Sequence, residues 1–263
     1  MSSLVTKVRL KQIEALLEKG KRLDERGLRD YRPIKIEQGL IERAEGSARV
    51  YLGKTEVLCG VKVEIGEPFP DTPNDGVMTV NAELVPLASP TFEPGPPNED
   101  SVELARVVDR GIRESHAIDT EKLCIEPGKK VFVVFVDVYV LNHDGNLIDA
   151  SALAAMAALL NTKMPNYEYK DGELKMKQGY VQLPMKSHPI TVTSGKINNV
   201  LITDPWIEEE HVMDARITMA INDEGNICAV QKGLSGYFTP QQILEASKIA
   251  QEKAAEIRKK LNW

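Results

Sequence analysis

One stretch narrows the possible folds more than any other. Residues 131–142, VFVVFVDVYVLN, form a nearly unbroken run of β-branched and aromatic side chains, and residues 147–161, LIDASALAAMAALLN, follow at once with alanine-rich helical composition. So apolar a run reads as a strand buried on both faces. The alanines let the helix approach a neighbouring sheet closely. Together they call for a layered α+β architecture in which helices cover sheets.

The flanking segments fit that expectation. From Ile34 to Leu87, IKIEQGL, SARVYLG, TEVLCGVKVEI and VMTVNAELVPL carry strand periodicity punctuated by glycine, which predicts an antiparallel meander. PFPDTPND and SPTFEPGPPNED are proline-rich surface loops. Asp100 with Glu103 reads as a capping box opening the helix DSVELARVVDRGIRES. Upstream, residues 2–19 are expected to be helical, with Leu10, Ile13, Leu16 and Leu17 at helical spacing and Gly20 as the stop. A charged connector, KRLDERGLRDYRPI, joins that helix to the first strand.

NYEYKDGELKMKQG reads as a polar hairpin at a lobe boundary. A second group of strands follows: PITVTS, INNVLIT, ARITMAIN and NICAVQK, separated by Gly195, a loop at 204–213 and the turn Asp223 to Asn226. Thr239-Pro240-Gln241-Gln242 opens the last helix with a capping box and proline at its first position. The expected division is residues 1–30 as helix and connector, 31–165 as a first lobe and 180–263 as a second. Both lobes run strands first and a covering helix afterwards, as a duplicated unit would.

The net charge of −6 argues against a free-standing nucleic-acid binder, which usually presents a basic domain. A subunit sharing a channel with basic neighbours escapes that objection. No apolar run is long enough to cross a bilayer, and MSSLVTKVRLKQIEALLEKGKR lacks the apolar core of a signal peptide, so a cytoplasmic protein is expected and no membrane partner. Cys59, Cys124 and Cys228 lie far apart in apolar stretches, and read as core residues rather than disulfide or zinc ligands.

Several segments together resemble the RNase PH family of phosphorolytic exoribonucleases. GSARVYLGKTEVLCGVKVEI resembles its paired-strand signature, and KRLDERGLRDYRPI its preceding arginine and aspartate pattern. The order of later elements matches as well, from about Lys21 to Leu261. Within the family, PNEDSVELARVVDRGIRES and VLNHDGNLIDASALAAMAALL most resemble the non-catalytic ring subunit of the archaeal exosome. The resemblance implies an RNase PH-like fold of two β-α lobes, here preceded by the N-terminal helix. It also implies a hexameric ring alternating with a catalytic RNase PH-like subunit, RNA-binding cap subunits on one side, and RNA as substrate of the assembly.

Active relatives seat inorganic phosphate at a helix N-terminus with a Gly-Thr/Ser-Arg run, where free amides, the helix dipole and a guanidinium attract the anion. Here the matching stretch is Asp144-Gly145-Asn146-Leu147-Ile148-Asp149. Leu147 and Ile148 stand at the hydroxyl and arginine positions, and Asp149 is expected to satisfy the dipole itself. Active relatives also carry paired aspartates in the second lobe. Asp204, Glu208, Glu209, Glu210 and Asp214 depart from that spacing and read as a solvated acidic loop, with His211 exposed beside it. No catalytic residue, metal or cofactor is assigned to this chain.

Arg106, Arg110 and Arg113 stand at i, i+4 and i+7 of one helix and so share a stripe. From the residues alone this is either a solvated face paired with Glu103, Asp109 and Glu114 or a set of contacts to RNA phosphates. The resemblance favours RNA contact. Two other functions remain open on sequence: a free-standing phosphorolytic 3'-5' exoribonuclease, and a scaffold or small-ligand-binding α+β protein without RNA.

Overall fold

The computed structural model describes residues 11–170 and 173–263. Residues 11–17 are helical (α1), and the part of the expected first helix at 2–10 lies outside the described residues. Ile13 and Leu17 of α1 are buried against Ile197 and Ile202 of the second lobe. The first helix therefore belongs with the far end of the chain.

The first sheet contains β1 (Ile34–Gln38), β2 (Gly46–Leu52), β3 (Thr55–Gly66), β6 (Lys130–Asn142) and β4 (Val77–Leu84) in that order, with β5 (Cys124–Glu126) paired to β6. The expected meander holds only as far as β3. β4 skips its predecessor and runs parallel to β6, with Val77 opposite Val133 and Leu84 opposite Val140. The proline-rich loop and α2 (Glu99–Glu114) carry the chain from β4 towards β6, across the sheet. The capping box expected at Asp100 is also displaced. Asn98 is the N-cap, its side chain accepting from the Ser101 amide at 2.9 Å, and Asp100 lies inside the first turn.

The second sheet is antiparallel in the order β10 (Val200–Thr203), β9 (Ile190–Ile197), β11 (Ala215–Ile221), β12 (Ile227–Gly233). Gly195 does not separate strands: it lies inside β9 and pairs with Ile202 and Arg216. A Cβ there would sit 2.2 Å from the Met213 sulfur, so glycine serves close packing, not a turn. The polar excursion is the hairpin of β7 (Lys163–Lys170) and β8 (Glu173–Gln182).

α3 (Leu147–Leu160) packs on β2, β3 and β6 of the first sheet and on β9 of the second. α5 (Pro240–Leu261) packs on β9 and β11. The layers thus run sheet, helices, sheet, helix, and the residues around α3 form one core continuous through both lobes. Thr239 caps α5 with the expected capping box. The strand buried on both faces is β9, every residue of which is buried although it reads ITVTSGKI. β6, the most apolar run, is buried on alternate residues and half-buried on the others. Of the cysteines, Cys59 is fully buried and Cys124 and Cys228 are partly exposed, which corrects the expectation of three core residues.

Candidate functional site

The loop from β6 into α3 turns through two successive residues of positive φ. Gly145 has φ +87°, and a Cβ on it would lie 2.5 Å from the Trp206 carbonyl carbon. Asn146, the N-cap of α3, is left-handed at φ 51° and ψ 49°. Left-handed geometry costs least in glycine and asparagine. Thr55 donates its hydroxyl to the Gly145 carbonyl at 2.7 Å, and Arg32 donates to the Asp144 and Gly145 carbonyls at 2.6 and 3.2 Å.

Arg32 also grips Asp204 through Nε at 2.9 Å and Nη2 at 2.7 Å, with its own amide adding a third bond at 2.9 Å. Arg26 reaches the same carboxylate at 2.8 Å. Burial alone pushes the Asp204 carboxyl up, but the Arg32 hydrogen bonds and charge outweigh it and hold it below the usual range. Arg22 donates Nε to Glu209 at 2.8 Å, pairs a second time with the same carboxylate through Nη2, and caps the Thr203 and Asp204 carbonyls. The expected solvated acidic loop is in part a buried joint: Asp204 and Glu209 are 0% and 1% exposed, Glu208 and Glu210 are half-buried, and Asp214 is exposed as expected. The run Glu208 to Glu210 lies on the single turn α4 (Ile207–Glu210), and consecutive residues on a helix point in different directions. His211, at the end of that turn, is exposed as expected.

Asp149 is fully buried in the first turn of α3, where a carboxylate was expected, but its hydrogen bonds do not go to the helix's backbone amides. It accepts from the Tyr31 hydroxyl at 2.7 Å, the Asn146 side-chain amide at 2.8 Å, and the Thr193 amide and hydroxyl at 3.0 and 2.7 Å. It therefore ties the connector, α3 and β9 together. The carboxylate on the amide at the start of α3 comes from the second lobe: Glu210 accepts the Asn146 backbone amide at 2.8 Å. Burial raises the Glu210 carboxyl, against that bond and the charges of Arg216 and Arg32.

A cavity of about 200 Å³ opens beside this helix end. Asp100, Glu103 and Glu210 line it together with His143, Asn146 and Arg216. Arg216 is already paired with Glu103 at 2.8 Å. His143 stacks on Phe92 at 5.4 Å, and burial, then His211 and Arg32, lower it to about 4, so it is neutral at pH 7. Three carboxylates face one paired guanidinium. A phosphate about 4 Å from each would meet roughly 4 kcal/mol of repulsion per charge pair at an effective dielectric near 20. With its one guanidinium already paired to Glu103, this lining disfavours an anion. Glu210 and Arg216 went unassigned on sequence; the acidic run was a signal, but not which of its members turns inward.

The three arginines of α2 lie on one exposed face, and they differ in engagement. Arg106 makes no hydrogen bond or ion pair with any described residue. Arg110 meets the Gln231 side chain on β12 at 3.4 Å. Arg113 is tied to both oxygens of Asp109, at 3.1 and 2.7 Å, and to the Met78 carbonyl at 3.1 Å.

Two sheets around a buried helix, with the Glu210 carboxyl group on the Asn146 amide at the start of that helix, define a two-lobed α+β fold. Residues 30–165 match domain 1 of the 3' exoribonuclease family (RNase PH) and residues 187–253 match its domain 2; the chain belongs to this family. It is 58% identical over 246 residues to the Exosome complex component Rrp42 of Pyrococcus horikoshii, which spans 93% of this chain and 90% of that protein. The protein of the same description from Thermococcus kodakarensis is 55% identical over 248 residues, 94% of this chain and 91% of its own length. Among solved structures, a chain of the Archaeoglobus fulgidus exosome with RNA bound to the active site superposes with TM-score 0.91 at 46% identity, covering 98% of this chain and all of that one. A chain of an archaeal exosome core gives 0.87 at 42% identity, covering 99% and 98%.

Proposed function

We infer that this chain is a non-catalytic ring subunit of an archaeal exosome, the 3'-to-5' RNA-degrading assembly. It alternates with a catalytic RNase PH-like partner as three heterodimers in a hexameric ring. The ring carries RNA-binding cap subunits and works in the cytoplasm. The chain divides into a leading segment, residues 1–30, and two lobes at 31–165 and 180–263, with Ile13, Leu17, Arg22 and Arg26 of the leading segment bracing the second lobe. The chain's part is to shape the partner's site and to position RNA.

The observation that carries the non-catalytic reading is the Glu210 carboxylate on the Asn146 amide, at the start of α3, beside Leu147 and Ile148. An anion seat needs free amides and a cation there; this one has an anion and two aliphatic side chains. The RNA-holding reading rests on Arg106, Arg110 and Arg113. Arginines on one helix face hold a phosphate backbone without reading bases, which suits decay of any sequence. Arg106 and Arg110 are the more available; Arg113 stands at the end of the stripe, braced by Asp109 and the Met78 carbonyl.

Co-expression with the catalytic partner tests both parts. The chain alone is expected to release no nucleoside diphosphate from RNA and phosphate, and the hexamer to release it readily. In the hexamer, replacing Arg106 and Arg110 by alanine is expected to weaken RNA binding at least about tenfold and to flatten its salt dependence. Phosphorolysis by this chain alone, or phosphate seated on the amides of residues 146–149, overturns the non-catalytic reading.

A further inference from the structure

α2 packs on β4 and α3 of the first lobe and also reaches β12 of the second. Glu103 pairs with Arg216 on β11, and a Cβ at Gly111 would touch Ala220 and Thr191 at ordinary contact distance. Val107 and Arg110 of α2 share a narrow seam with Thr191, Thr218 and Gln231. β12 is the edge strand of its sheet, and it presents the Gln231 side chain to the exposed Arg110 guanidinium at 3.4 Å.

The chemistry of that partner matters. Arg113, one turn on, is held by a carboxylate, which orients the guanidinium and cancels its charge. Gln231 offers a neutral oxygen instead. An amide oxygen uses one of the five guanidinium donors and leaves the full positive charge and the remaining donors for another acceptor. A long exposed arginine otherwise loses much rotamer freedom when it binds, and restricting it beforehand lessens that loss.

We propose that Gln231 is a positioning residue for Arg110, holding its guanidinium towards the RNA backbone from the second lobe without neutralising it. This rests on the reading of Arg110 as an RNA contact. It makes the α2 stripe a two-lobe site, whose geometry depends on how β12 lies against α2. Gln231 itself touches no substrate in this role.

The test uses the hexamer assembled with the catalytic partner, with phosphorolysis kinetics and RNA affinity measured across a salt series. Arg110→Ala is the control, expected to weaken RNA binding about five- to tenfold and to lower the salt slope by about 0.7, as loss of one single-strand phosphate contact should. Gln231→Met keeps length and packing but removes the acceptor. It is expected to raise KM about two- to threefold with kcat and the salt slope unchanged, because the charge remains but is no longer held. Gln231→Glu is expected to match Arg110→Ala in both affinity and slope, because its carboxylate pairs with the guanidinium. Unchanged RNA binding by Arg110→Ala overturns the underlying RNA reading and the positioning role with it. A weakened Arg110→Ala beside unchanged Gln231→Met and Gln231→Glu overturns the positioning role alone.

Discussion

Asp149 sits in a shell made wholly of donors, from Tyr31, Asn146 and Thr193, yet burial still lifts its carboxyl to about 6. An aspartate in an unfolded chain titrates near about 3.9. A carboxyl raised by folding takes up a proton as the chain folds. Its favourable contribution is therefore complete below about pH 4 and is lost as pH rises through about 6. The difference amounts to roughly 3 kcal/mol. Urea unfolding of the isolated chain and its Asp149→Asn variant from pH 4 to 7.5 checks this. The wild-type advantage is expected to shrink by about that amount over the range, and parallel pH profiles would exclude it. His143, lowered to about 4, works in the opposite direction: it is neutral in the fold, and its charging costs stability as pH falls. Comparing the pair of proteins removes that shared term.

Among the elements, α2 has a specific beginning. Its cap is Asn98, not Asp100. Asn98→Ala is expected to cost about 1 kcal/mol by loss of the bond to the Ser101 amide. Asp100→Ala removes only a charge near the positive helix end, about 0.3–0.5 kcal/mol. Thermal unfolding of both variants separates the two assignments, and a larger loss at Asp100 would restore the sequence-based one. A similar displacement occurred between β6 and β9. Hydropathy singled out VFVVFVDVYVLN as the doubly covered strand, but its half-buried alternate residues place it in an outer layer. β9, with Thr191, Thr193, Ser194 and Lys196, is the covered one; Thr193 bonds Asp149 and Thr218, and Lys196 donates to the Tyr237 carbonyl. A polar side chain can enter a core when a partner meets it there, and no period in the sequence reports that partner.

Across the whole molecule, the connector is the strap that joins the lobes, through Arg22 on Glu209 and Arg26 and Arg32 on Asp204. Removing one charge of a buried pair strands the other, at about 3–5 kcal/mol. Glu209→Gln keeps the shape and is expected to lose stability on that scale in urea unfolding; a loss below about 1 kcal/mol would mean the strap holds little. The sequence by itself determined the α+β class, most of the strands and helices, the capped start of α5 and the family resemblance. All of these rest on local period, composition and order along the chain, which need no knowledge of what lies opposite. Only the tertiary structure decided that Glu210 meets the Asn146 amide at the start of α3, that Asp204 and Glu209 are buried, and that Arg106, Arg110 and Arg113 are unequally engaged. The physical reason is separation. Glu210 lies 64 residues from Asn146, Asp204 lies 172 from Arg32 and Gln231 lies 121 from Arg110, and each pairing exists because two lobes close around one helix.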